Sequence, residues 1–280
     1  MNANATAAGS GHEPPGYVLD FADEMDGTEL DTSIWNKWFE AWNIRILDGN
    51  ADKGLKVGDE DVLFKNRTVA QWLRSATRTP GPYMQDMSDG TLKMRTYALP
   101  KWLERGFGYP YLASMISTED SYALHHGYWE VRFRINRFGT GYHAAIWLLP
   151  DNETWPPEID LFEIVGTDRR IYANGKPVGD HEELGVPGLS WVDGDALLDD
   201  WMTVGFLWTE DIMRWTINGE TVREHAAFAM ERPLYFITSW VVGGQWSGPP
   251  DRTTPWPGEI EIDYVRAWRP GEEAGAGVSD

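Results

Sequence analysis

The 280-residue sequence contains no cysteine. Disulfides, thiolate nucleophiles, Cys-ligated zinc and iron–sulfur centres are thereby excluded. Basic residues are few: 24 Lys and Arg stand against 44 Asp and Glu, a formal net charge of −20. A surface of that sign repels phosphate backbones and anionic headgroups, so no nucleic-acid or membrane partner is expected. Long apolar runs are missing too, with nothing near the roughly 18 residues of a membrane span. The opening MNANATAAGSGHEPPG has neither the basic start nor the apolar stretch of a signal peptide, so a secreted form would have lost its signal or never used one. What is abundant is aromatic: 16 Trp, 11 Tyr and 10 Phe. Flat apolar faces beside polar groups suit sugar rings.

Residues 1–16 and 270–280 are rich in Ala, Gly and polar or acidic residues and read as disordered tails around a single folded body at 17–269. That body shows no internal repeat and no long helical period; short alternating runs separated by Gly, Pro, Asn and Asp recur instead. In GYWEVRFRI, Trp129, Val131, Phe133 and Ile135 point one way and Glu130, Arg132 and Arg134 the other. AAIWLLP at 144–150 is apolar throughout, and WMTVGFLW, PLYFITSWVV and EIEIDYVRAW supply further strands. Asn218-Gly219 between alternating runs predicts a hairpin, because both central residues must take positive φ. WNKW at 35–38 fits a short helix. The expected architecture is all-β: a two-sheet antiparallel β-sandwich.

Pro157-Glu158-Ile159-Asp160-Leu161-Phe162-Glu163 places three acids on an otherwise buried strand. Burying acids is costly unless they have a task. In a regular strand Glu158 and Asp160 share a face but Glu163, five positions on, falls on the other. One bulged residue between Asp160 and Glu163 brings all three together. Like charges on one face hold at least one carboxyl protonated, which supplies an acid and a base. Retaining glycosidases need that pair, a nucleophile and a protonated carboxyl about 5–5.5 Å apart.

These residues resemble glycoside hydrolase family 16, the laminarinase, lichenase, agarase and carrageenase group. Glu158 to Glu163 is similar to the bulged signature E-x-D-x-x-E, and YVLDFADEMDGTELDTSIWN, YLASMISTEDSYALHHGYWEVRFRI, LWTEDIMRWTINGETV, YFITSWVVGGQWSG and EIDYVRAW resemble the family's other strands in order, over about 17–269. The resemblance implies a jelly-roll (concanavalin-like) sandwich with an open concave cleft. It also implies that Glu158 is the nucleophile, Glu163 the general acid/base and Asp160 the helper between them. By the same resemblance Trp147 and Trp155 stack on sugars beside the cleavage point, Trp240 and Trp246 line the opposite wall, and Asn43 matches an N-terminal cleft residue. His143 fits either a sugar contact at the rim or a satisfied strand histidine.

The sequence departs from the family in having Pro157 where a Gly is usual, no Arg near Met115, and, in RIYANGKPVGDHEEL, only His181 for the histidine that commonly follows the motif. The expected activity is a retaining endo-β-glycanase, a secreted monomer that needs no cofactor and acts on a polysaccharide. A β-1,3- or β-1,3/1,4-glucan is the first choice; a bacterial exopolysaccharide or galactan, a transglycosylase, and a non-catalytic glucan-binding module are the alternatives. Some relatives hold a structural calcium, which here would involve Asp263 and carbonyls near Glu24.

Overall fold

The computed structural model describes residues 11–36, 62–64, 85–107, 110–152, 154–166, 168, 170–177, 191–193 and 200–272. Asn43 and His181 lie outside the described residues, as do positions 37–38 of the expected short helix. Trp35 and Asn36 are not helical: Asn36 forms an antiparallel bridge with Ser117.

Along the chain the strands are β1 (Tyr17–Asp23), β2 (Val62–Phe64), β3 (Gln85–Ser88), β4 (Thr91–Ala98), β5 (Tyr111–Ser117), β6 (Ala123–Leu124), β7 (Gly127–Arg137) and β8 (Tyr142–Pro150). They continue as β9 (Glu158–Val165), β10 (Arg170–Lys176), β11 (Trp191–Asp193), β12 (Met202–Trp208), β13 (Ile212–Ile217), β14 (Glu220–Ala226), β15 (Leu234–Val242) and β16 (Gly258–Pro270). A two-turn helix, α1 (Lys101–Phe107), lies between β4 and β5.

One layer runs β11-β10-β9-β8-β15-β5 and the other β4-β16-β7-β12-β13-β14; they join where β4 and β5 pair at Tyr97↔Leu112 and Ala98↔Tyr111. Pairing is antiparallel except for β2 with β5, which is parallel and departs from the expected pattern. The layers meet through aromatic residues. Phe133 of β7 lies edge-on to Phe162 of β9 with ring centroids 4.9 Å apart, and Trp129 of β7 stacks on Phe236 of β15 at 5.7 Å.

Alternation places the strands as expected. Trp129, Val131, Phe133 and Ile135 are buried in the core, as are Trp208 and Trp268. The β13–β14 hairpin turns at Asn218 (φ 50°) and Gly219 (φ 79°), the left-handed pair the dipeptide predicts. Glu130 differs. Expected to face solvent, it is fully buried, and its carboxylate accepts from Tyr128 OH at 2.9 Å and Tyr264 OH at 2.7 Å. The third partner is His12 Nδ1 at 2.9 Å, so a residue read from composition as part of a tail packs against this face of β7.

Candidate active site

Strand β9 carries the bulge its acids require. Against β8 the register is Ala145↔Glu163 and Ile146↔Phe162, then Trp147↔Asp160 and Leu148↔Ile159, so Leu161 is the extra residue. Strand β10 shows the same slip: Tyr172 pairs with Glu163, but Asn174 with Asp160 and Lys176 with Glu158. Glu158, Asp160 and Glu163 therefore share one face, and Leu161 and Phe162 both enter the core. The bulge is pinned from the opposite layer, where Trp215 Nε1 of β13 donates to the Asp160 carbonyl at 3.0 Å.

Two of the acids are nearly closed off from water, Glu158 at 8% exposure and Asp160 at 2%, while Glu163 is partly exposed. Each end of the row has its own partners. Glu158 accepts from Trp155 Nε1 at 2.9 Å on one oxygen and from Lys176 Nζ on the other. Lys176 Nζ also lies 3.8 Å from Asp160 Oδ2. Glu163 Oε1 meets His143 Nε2 at 3.1 Å. Trp246 is set edge-on to His143 and to Tyr172, each at 5.2 Å between centroids.

Burial pushes the Glu158 carboxyl up from its ordinary value; Lys176 and the Trp155 indole N–H act against that, while Glu163 adds to it. Desolvation, rather than like charge alone, is thus the largest cause at this position. For Lys176 burial pulls the other way, but Asp160, Glu158 and Glu163 outweigh it and hold the ammonium well above the usual lysine range. The face therefore carries a permanent cation among three acids.

The structure brings together Glu158, Asp160, Glu163, His143, Trp147, Trp155 and Trp246. Trp147 is half-buried on the acid face opposite Asp160, and Trp155 and Trp246 are exposed by 46% and 45%. Of the two readings open for His143, a sugar contact at the rim or a satisfied strand histidine, the structure shows its Nε2 partnered by Glu163. Trp240 is corrected. In β15 it is Ser239 that pairs with Ala145 of β8 on the acid face, so neighbouring Trp240 points inward, fully buried and stacked on Tyr142 at 5.1 Å.

Asp263, the side chain expected to take part in a structural calcium site, accepts from Arg132 Nη1 at 2.5 Å through its Oδ2. Among the described residues no group of three metal-binding side chains gathers.

Sequence reasoning missed Tyr172, Asn174 and Lys176. Their signal was the period-two alternation of polar residues in RIYANGK, the strand in which only a histidine was sought.

The two Trp assignments predict opposite outcomes. Trp246→Ala should raise KM for a polysaccharide about 5- to 30-fold through loss of roughly 1–2 kcal/mol of ring stacking, at unchanged melting temperature. Trp240→Ala should cost about 3–5 kcal/mol of stability and leave KM of the folded fraction alone. Thermal melts and steady-state kinetics on the same preparations check both.

The two-layer β-sandwich thus carries bulge-aligned carboxylates on its outer face, with tryptophans beside them. Residues 74–266 match the family described as Glycosyl hydrolases family 16, and the chain belongs to that family. It is 29% identical over 256 residues to the endo-1,3-1,4-beta-glycanase EglC of Rhizobium meliloti (strain 1021), covering 89% of this chain and 51% of that protein. The chain thus spans about half the length of that relative. Among solved structures, the laminarinase from Rhodothermus marinus superposes with a TM-score of 0.69 at 20% identity, over 90% of this chain and 97% of that one. The catalytic domain of an endo-1,3-beta-glucanase from Thermotoga petrophila RKU-1 gives 0.66 at 22%, over 92% and 99%. At these identities the structural likeness is one of fold.

Proposed function

We propose that residues 17–269 form a retaining endo-β-glycanase acting on a β-1,3- or mixed β-1,3/1,4-glucan, with Glu158 as nucleophile and Glu163 as general acid/base. The observation that carries the reading is the bulge at Leu161, which sets Glu158, Asp160 and Glu163 on one face with different partners at each end.

The roles follow from those partners. Glu158 has both oxygens engaged by donors, Lys176 and Trp155, which favour its ionised form and fix its direction. Among the described residues Glu163 meets one ring nitrogen of His143, which accepts its proton in a hydrogen bond or donates one back according to tautomer. In the first step a Glu158 oxygen bonds to the anomeric carbon while the glycosidic C–O bond breaks and the leaving oxygen takes the Glu163 proton. In the second step water attacks that carbon, Glu163 takes the water's proton, and the bond to Glu158 breaks. Atoms and charges balance between two carboxyls and water. Asp160, between them along the face and beside Lys176, holds the Lys176 charge close to the row. Trp155 and Trp246 lie at opposite ends of the row and offer platforms to sugar rings on either side of the cleaved bond.

The reading is supported by membership of the family and by the glucanase names of its relatives. A polymer of this kind is met outside the cytoplasm, in keeping with a secreted enzyme. The test is reducing-sugar release from laminarin, mixed-linkage glucan, agarose and carrageenan. Cleavage of either glucan by the parent and not by Glu158→Gln is expected. Cleavage of a galactan alone overturns the substrate, and loss of all cleavage in a folded parent overturns the activity.

A further inference from the structure

Strand β10 supplies a cation that the acid/base chemistry above does not itself require. Lys176 is paired in register with Glu158, contacts its Oε1, and lies 3.8 Å from Asp160 Oδ2; its side chain retains 21% exposure. With Trp155 Nε1 on the other Glu158 oxygen, the carboxylate is gripped from two sides, by one segment that precedes β9 and one strand that follows it.

We infer that Lys176 is a positioning residue that keeps Glu158 ionised and aimed within a nearly dry site, and so sets the acid limit of the enzyme's activity. The inference rests on the reading of Glu158 as nucleophile only for its kinetic consequence; the effect on Glu158 ionisation stands apart from it.

The physical case is one of competing costs. A carboxylate at 8% exposure loses most of its hydration, and its charged form is penalised. Glu163 on the same face adds repulsion. Lys176 is the cation in contact with Glu158; the other titratable groups beside the row are His143, at Glu163, and Tyr172, paired in register with Glu163 and donating its hydroxyl to Asp168. Arg223 of β14 reaches the neighbouring Asn174 side chain, to which its Nη1 donates at 3.2 Å. Because the Lys176 ammonium is engaged by carboxylates, its removal acts on ionisation and turnover rather than on sugar binding.

The test uses the whole chain with carboxyl carbons of glutamate labelled with ¹³C, the Glu158 signal being assigned by its disappearance in Glu158→Gln. In Lys176→Met the Glu158 titration is expected to move up by about one to three pH units, while Lys176→Arg stays near the parent. Lys176→Gln replaces Lys176→Met should the latter fail to fold. On laminarin or mixed-linkage glucan the acid limb of kcat/KM should move upward by the same amount, with kcat at low pH reduced about 10-fold or more and KM little changed. A Glu158 titration that does not move when the charge is removed overturns the inference, whether or not either glucan is cut. An unmoved titration with a raised KM would make Lys176 a sugar-binding residue instead. A shifted titration in a protein that cleaves no glucan leaves the positioning role intact and overturns the proposed activity.

Discussion

Glu158→Gln should lower kcat on the proposed glucan substrate by about 10⁴-fold or more while the protein stays folded, since the amide cannot form the glycosyl ester on which the second step depends. The fold should survive because the substitution keeps the shape of the side chain, lets Trp155 Nε1 keep an oxygen acceptor, and leaves Lys176 beside Asp160. Near-UV circular dichroism and a melting temperature within a few degrees of the parent check the fold; reducing-sugar release checks the rate. Glu163→Gln should fall less on substrates with good leaving groups, because a leaving group that departs without a proton does not need the acid. A Glu158→Gln variant with more than one-tenth of parental kcat would remove Glu158 from the chemistry.

Phe162→Ala should destabilise the protein by about 3–5 kcal/mol, the cost of emptying a core position that cannot collapse. Phe162 is fully buried, edge-on to Phe133 of the other layer, and follows the extra residue of the bulge. A loss at this position is felt twice, as missing packing between layers and as slack in the backbone that turns Glu163 onto the acid face. Urea denaturation gives the first, and the residual kcat of the folded fraction gives the second. A loss below about 1 kcal/mol would mean that Phe162 does not fill the space between the layers.

Where the sequence alternated, it could be phased from its own residues. GYWEVRFRI has an apolar face and a charged one, and the hairpin at Asn218-Gly219 is dictated by two left-handed positions. The bulge was legible by parity alone, since five positions between Glu158 and Glu163 demand one extra residue if all three acids face one way. PLYFITSWVV was different. All nine residues of β15 are buried, both faces being covered, so nothing in the segment told whether Ser239 or Trp240 faces the acids. The register with β8 decides it, and that register is a long-range fact.

The same limit hid Lys176. Its neighbour in space is Glu158, eighteen residues earlier, and only the β9–β10 pairing brings them together. Glu130 was misjudged because its cover, His12, comes from a segment whose composition resembles a tail, 118 residues away in the chain. Asp263 offered a carboxylate suitable for a cation, and the cation that takes it is the guanidinium of Arg132 on the adjacent strand. In each case chemistry was visible and the partner was not.

The most direct measurement is proton NMR of the reducing end first formed when the parent enzyme cuts laminarin or mixed-linkage glucan, recorded before mutarotation proceeds. Two carboxyls on one face of β9, with Glu158 as nucleophile, predict the β-anomer first and the α-anomer only as equilibrium is reached. An α-anomer formed first would mean inversion by direct attack of water, and would contradict the account.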